Sequence, residues 1–201
     1  MADIEKLRRN LEAHGHTTSY FETAGEAAEY LCREIRGKTV GFGGCKTADD
    51  LGLYERLGEN NTVLWHWKTD DRNTVLAQAA ASDIYITSAN GVSETGELVN
   101  IDGTGNRVAA TLYGREKVYF IIGVNKIEPD LEKAIWRARN IASPLNARRY
   151  NLSTPCAVSK EMRCYDCDSP HRICKGLVVL WRRTSGTAAS EVVIINQELG
   201  F

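Results

Sequence analysis

Hydrophobic positions recur along this chain with two periods. Over residues 22–36, Ala24, Ala27, Ala28, Leu31, Cys32 and Ile35 fall at i, i+3, i+4 spacing, the stripe of an amphipathic helix, which makes Cys32 a core residue. Beyond Gly37, KTVGF reads as a short buried strand, FGGCK as a turn, and TADDLGLYERLG as a helix with Thr47 as its N-cap. NTVLWHW, NTVLAQAAA, SDIYITSA, TGNRVAATLYG, KVYFIIG and EPDLEKAIWRARNIA then follow as alternating strand and helix signals. Strands alternating with helices of this length predict an α/β, Rossmann-like fold with a mostly parallel sheet covered on both faces. From Pro144 to Cys174 the chain turns polar and loop-like, and two β-rich runs, LVVLWRR and SEVVIIN joined by TSGTAA, predict a C-terminal antiparallel hairpin. No repeat, low-complexity tract or Pro/Gly linker divides the chain, so residues 1–201 read as one domain with a Cys-rich appendage over 151–176.

A chain of 201 residues buries a substantial core without disulfide staples. The N-terminal MADIEKLRRNLEAHGHTT lacks the apolar run of a secretory signal, and no segment approaches the roughly 20 apolar residues of a membrane span. A cytoplasmic protein without membrane contact is expected. The formal net charge of −1 exerts no bulk pull toward nucleic acid, so any anion site must be local.

Cys156, Cys164, Cys167 and Cys174 lie within nineteen residues of a polar segment. In a reducing compartment such density points to metal ligation rather than disulfides. The spacings x7, x2 and x6 match neither the bacterial ferredoxin run nor the paired knuckles of a zinc ribbon. Four thiolates suit a [4Fe–4S] cluster or tetrahedral zinc, and four free thiols in a loop is the remaining reading. His171 is a secondary candidate ligand, and Lys160, Arg163, Arg172 and Lys175 flank the thiols with positive charge.

Three segments suit an anion. In GFGGCKT, between strand and helix, Gly43, Gly44, Cys45 and Thr47 are candidate ligands, because glycines let backbone N–H groups approach an anion at the positive end of a helix. The motif lacks the spacing of a dinucleotide fingerprint or a Walker loop, and a ligand-free tight turn explains it equally. Cys45, at the start of that helix, is either a reactive thiol or a small filler. Residues 88–114 carry Asn90, Glu94, Glu97, Asn100, Asp102, Gly105, Asn106 and Arg107 between a strand and a helix, where parallel sheets bind ligands. Turn chemistry accounts for some of these side chains. Arg107 suits a bidentate grip on carboxylate or phosphate. Glu94 and Glu97 are candidate acid and base, provided burial raises the pKa of one. Asn125 and Lys126 fall at the same predicted sheet edge, with Lys126 opposing an anion. Arg137, Arg139, Arg148 and Arg149 read as a solvated helix face.

Taken in order, GFGGCKT with its following DLGL, SANGVSETGELVNIDGTGNRVAA, IIGVNKIEPDLEKAIWRARNIASPLNARR and TPCAVSKEMRCYDCDSPHRIC resemble the lactate-utilisation (LUD) domain family, in particular small bacterial members with a cysteine-rich tail. The resemblance spans residues 4–201. It implies a fold like that of the sugar-phosphate isomerase and CoA-transferase superfamily, with ligands at the strand ends. It also implies a part in oxidising L-lactate to pyruvate, alongside iron–sulfur and oxidoreductase partner subunits. The stretch from SAN to GTGNR is similar, too, to methylthioribose-phosphate isomerase-like proteins, although Asn90 stands where their pattern has an acidic residue. Cys45 stands where many LUD members have serine.

The leading expectation is a LUD protein of lactate or related small-carboxylate utilisation that binds a small anionic metabolite and an iron–sulfur cluster. The alternatives are a non-redox isomerase-like enzyme on a phosphorylated metabolite with structural zinc, and a non-catalytic subunit of an oxidoreductase complex. Without a dinucleotide fingerprint, NAD or FAD is not expected on this chain. A homo-oligomer is an open expectation.

Overall fold

The computed structural model describes residues 2–201 and mixes helices and strands along its whole length. The first half comprises α1 (Ile4–Ala13), β1 (Thr17–Phe21), α2 (Ala24–Glu34), β2 (Thr39–Phe42), α3 (Lys46–Asp50), α4 (Leu53–Gly58), β3 (Thr62–Leu64), α5 (Arg72–Ala79) and β4 (Ile84–Thr87). Then come β5 (Gly91–Ser93), β6 (Leu98–Asp102), α6 (Asn106–Leu112), β7 (Arg115–Gly123), β8 (Ile127–Glu128) and α7 (Leu131–Arg137). The chain closes with α8 (Ser143–Arg149), α9 (Pro155–Val158), β9 (Gly176–Leu180) and β10 (Thr187–Ile195). A 3-10 turn, Val124–Lys126, follows β7, and a π-helical turn, Ala138–Ala142, joins α7 to α8. Side chains close several helix N-termini, as where Thr23 and Glu26 form a reciprocal capping box on α2.

Six strands in the order β1-β10-β7-β4-β2-β3 form an all-parallel sheet. Its central strands are apolar on both faces. Along β7, Tyr119 and Ile121 join the core beneath α2, α3 and α4, whereas Val118, Phe120 and Ile122 join the core beneath α1. Burial on both sides is why these strands read as continuous hydrophobic runs rather than alternating ones. The α/β architecture with a largely parallel sheet, expected from the alternation of signals, is what the chain adopts.

A second sheet, β8-β5-β6-β9, lies between α1 and α7, with Val92 and Leu98 packed on Leu7 and Leu11 and Val99 on Ala134 and Ala138. It corrects two expectations. Residues 88–114 are not one polar connector, since β5 and β6 make an antiparallel hairpin inside them. The two C-terminal runs do not pair with each other: β9 is antiparallel to β6, and β10 is parallel to β1 and β7. The unbroken run Val192–Ile195 needs cover on both faces, which a peripheral hairpin cannot provide and the slot between β1 and β7 does.

Two helix boundaries also differ. The helix expected over residues 47–58 is broken at Gly52, in a left-handed conformation, and its N-cap is Cys45 rather than Thr47. Residues 144–158 are partly helical, through α8 and α9. Cys32 is half-buried against the core as expected. No helix among the described residues is long and apolar enough to cross a membrane.

Candidate functional site

The strand order places the carboxyl ends of β7, β4, β2 and β3 side by side, and the connections diverge between β4 and β2. Such a switch point leaves a crevice outside the strand ends. A cavity of about 410 Å³ opens there. Its floor comes from the residues just beyond each strand: Gly44 to Thr47 after β2, His66 and Trp67 after β3, Ser88 to Asn90 after β4, and Lys126 after β7. The β6–α6 loop and α8 form its walls.

Lys126 is the centre of the floor. Its side chain is 3% exposed, and Nζ donates to Ser88 Oγ at 2.9 Å and Thr47 Oγ1 at 3.0 Å. Burial pushes its pKa down to about 8, with Cys45 acting in the opposite direction and Arg137 and Arg107 adding to the fall. Gly200 crosses directly above: a Cβ there would meet Thr47 Oγ1 at 2.5 Å and Lys126 Nζ at 3.2 Å. Cys45 Sγ accepts the N–H of Ala48 at 3.3 Å, and burial pushes its thiol up against the pull of Lys126. The shift is opposite to that of a reactive thiol at a helix N-terminus, so Cys45 rests as a neutral cap.

Arg107 is buried and spends its guanidinium on the protein. Nη1 donates to Ser88 O at 3.3 Å and to Asn100 Oδ1; Nη2 donates to Ile101 O at 2.6 Å and Asn90 Oδ1 at 3.2 Å. Nε faces Asp102 at 3.7 Å. Its aliphatic stem lies against Gly43, where a Cβ would come within 2.7 Å of Cγ. Arg107 therefore ties the β4 and β6 ends together and has no fork left for a ligand. Asp102 is a cap, accepting the N–H groups of Thr104, Gly105 and Val108 at 3.0 to 3.2 Å. The backbone N–H of Gly43 is also spent, on Ile86 O.

Of the residues expected to bind an anion, Gly44, Cys45, Thr47, Asn90, Asp102, Asn106, Arg107 and Lys126 line the cavity. Gly43, Gly105 and Asn125 do not line it. Asn125 Oδ1 accepts Leu199 N–H at 3.1 Å, holding the C-terminal segment over the floor.

Glu94 and Glu97 lie elsewhere, at the turn of the β5–β6 hairpin. Glu94 accepts Asp3 N–H at 2.9 Å and pairs with Lys6 at 3.1 Å, which together hold its carboxyl below the usual range. Glu97 accepts from the hydroxyls of Thr95, at 2.6 Å, and Ser93. Outside the cavity, and in the case of Glu94 with its pKa shifted away from neutrality, the pair does not provide the acid and base there.

The four arginines do not share one solvated face, and only Arg139, in the π-helical turn, is exposed. Arg137 is buried and donates to Asn125 O at 2.8 Å and Asn90 O at 2.6 Å. Arg139 pairs with Asp166 at 3.0 Å, Arg148 donates to Ser159 O at 2.7 Å, and Arg149 reaches the cavity. Ser88, His66, Trp67, Arg72 and Arg149 are lining residues that sequence reasoning missed. Ser88 and His66 were findable, because each stands just past a strand, as Lys126 does.

The four cysteines are half-buried and reduced. Cys164 Sγ accepts Asp166 N–H at 3.4 Å and faces Arg139 Nη2 at 3.6 Å; Arg172 donates to the carbonyls of Cys167 and Cys174. Among the described residues no three His, Cys, Asp or Glu side chains converge on a common metal position. The segment as folded therefore lacks the four-thiolate geometry that a cluster or zinc requires. It does abut the cavity: Lys175 N–H donates to Asp102 O at 3.0 Å, and Ile173 lies against Gly103.

The LUD domain profile matches residues 4–195. Among solved structures, a DUF162 family protein from Deinococcus radiodurans aligns over 96% of this chain and 95% of its own, with a TM-score of 0.57 and 12% identity, a likeness of fold alone. Ribose 5-phosphate isomerase A from Neisseria gonorrhoeae aligns over 54% of each chain at 18% identity with a TM-score of 0.35, too loose to argue from. No curated protein matches the chain.

Proposed function

Because the chain belongs to the LUD domain family, we propose that it serves lactate or related small-carboxylate utilisation by binding a carboxylate anion on Lys126. One observation carries this reading: a buried ammonium on the cavity floor whose hydrogen bonds go to two hydroxyls and not to a carboxylate. A buried charge without a counter-ion is costly, and an incoming carboxylate supplies the missing partner. Below pH 8 the amine is protonated and presents its charge; Thr47 and Ser88 hold it in place and can turn their hydroxyls toward a ligand oxygen. The test is calorimetric titration with L-lactate, pyruvate and glycerate. Binding that Lys126→Met abolishes supports the proposal; equal affinity in both proteins overturns it.

The proposal extends to the cysteine segment on the chemistry of its donors: four thiols in nineteen residues, with the Asp166 N–H and Arg139 facing Cys164. A [4Fe–4S] cluster or zinc on Cys156, Cys164, Cys167 and Cys174 requires the segment to rearrange from its present form. Metal content after anaerobic purification tests it.

A further inference from the structure

The cavity has room beyond the ligand just proposed. The six heavy atoms of a three-carbon hydroxy acid, at no more than the ~30 Å³ share of a water molecule each, fill less than half of 410 Å³. What lines the remainder is specific. A second recess of about 430 Å³ adjoins the cavity and shares His66, Trp67, Arg72, Arg149 and Tyr150 with it, but not Lys126.

Two features of this mouth point to a ligand. The first is charge. Lys68 pairs with Asp49 at 3.1 Å and Lys46 with Asp50, which leaves Arg72 and Arg149 outside every ion pair among the described residues. Arg149 is also held in place: its guanidinium lies 4.3 Å from the Trp67 ring and 4.1 Å from that of Tyr150, and Nε and Nη2 both donate to Asn146 Oδ1 at 3.1 Å. Trp67 in turn stacks on Trp65, and Trp65 on Phe42, so a column of rings rooted in the core fixes this arginine. The second feature is a set of unmet hydrogen bonds at the junction of floor and mouth. His66 is 8% exposed and lines both spaces, yet its Nδ1 has no partner; the buried Trp67 indole N–H has none either. Native proteins rarely leave such groups unpaired.

We propose that the ligand carries two anionic groups, a carboxylate on Lys126 and a second carboxylate or phosphate between Arg72 and Arg149, joined by a short spine that passes His66 and Trp67. The inference rests on the carboxylate reading of Lys126 and narrows it from a monoanion to a bis-anion.

Calorimetry with the purified chain separates the two. The panel pairs glycerate and L-lactate, with one anionic group each, against 3-phosphoglycerate, succinate, glutarate and adipate, with two. At least one bis-anion is expected to bind ~10-fold or more tighter than glycerate, as a second charge-assisted contact provides. Arg149→Gln, and independently the solvent-exposed Arg72→Gln, should shrink that gap. A panel in which no bis-anion reaches the tenfold margin, or a margin that both variants preserve, overturns the inference. If glycerate nonetheless binds in a Lys126-dependent way, the extension alone falls. If nothing binds and Lys126→Met changes nothing, the carboxylate reading falls with it.

Discussion

Lys126 and Ser88 meet at 2.9 Å across the carboxyl ends of two neighbouring strands, β7 and β4, and this bond sets a buried positive charge where the sheet opens. Its energetics can be tested without a ligand. Lys126→Met removes a charge whose burial is unfavourable but keeps most of the side-chain volume. The fall of its pKa from 10.5 to about 8 corresponds to roughly 3 kcal/mol at neutral pH, so the variant's free energy of unfolding in urea is expected to rise by up to that amount.

The pH dependence follows in sign. In the folded state Lys126 loses its proton near pH 8, whereas the unfolded chain keeps it to about 10.5. Between these limits the unfolded state binds more protons, so this group makes stability rise with pH. Cys45 acts oppositely above pH 9, since burial keeps the folded thiol protonated while the unfolded thiol ionises. The wild type should therefore gain stability from pH 7.5 to 9, whereas Lys126→Met should not. Urea titrations across that range check it.

Anion affinity should move the other way. A bound carboxylate favours the ammonium, so binding is full below pH 8 and weakens by up to ~10-fold per unit above it. Calorimetry in buffers of differing ionisation heat should register proton uptake near pH 8. A flat profile from pH 7 to 9.5 would place the bound anion elsewhere.

Arg107→Ala is expected to cost ~3–5 kcal/mol, since it strands the carbonyls of Ser88 and Ile101 and the amide oxygen of Asn100 in the interior. Lysine at this position should recover little, because an ammonium cannot match the planar fork. Chemical denaturation gives the loss directly, and a change under ~1 kcal/mol would contradict the network.

Glu94→Gln should leave anion binding intact and reduce stability only slightly, as expected of an ion pair near the surface. The depressed pKa of Glu94 supports the fold above the ordinary carboxylate range, and this support is lost as pH falls through its folded value. The variant's unfolding midpoint should thus vary less than that of the wild type on acidification.

Where burial and periodicity coincide, the sequence reported the structure well. The stripe from Ala24 to Ile35 is a helix, the unbroken apolar run in β7 is a central strand, and Lys126 stands at the sheet edge where the pattern put it. Pairing was less legible. The run in β10 looked like half of a hairpin because its neighbour in sequence was another strand, and nothing local records that β1 and β7 leave a gap. Charge was least legible of all. Arg107 and Arg149 carry the same side chain, yet one is consumed by carbonyls brought from distant segments and the other faces a cavity, a difference made only by tertiary contacts.

The position of β10 bears on how the molecule is made. Residues 187–195 lie between β1 and β7, so the first strand of the sheet joins the rest only through one far away in sequence. Until β10 inserts, β1 has no neighbour and the edge of β7 that faces it is unpaired, a condition that invites wrong pairing. Closure of the sheet therefore waits on residues 187–195, and the roof that Gly200 lays over Lys126 follows directly from that strand.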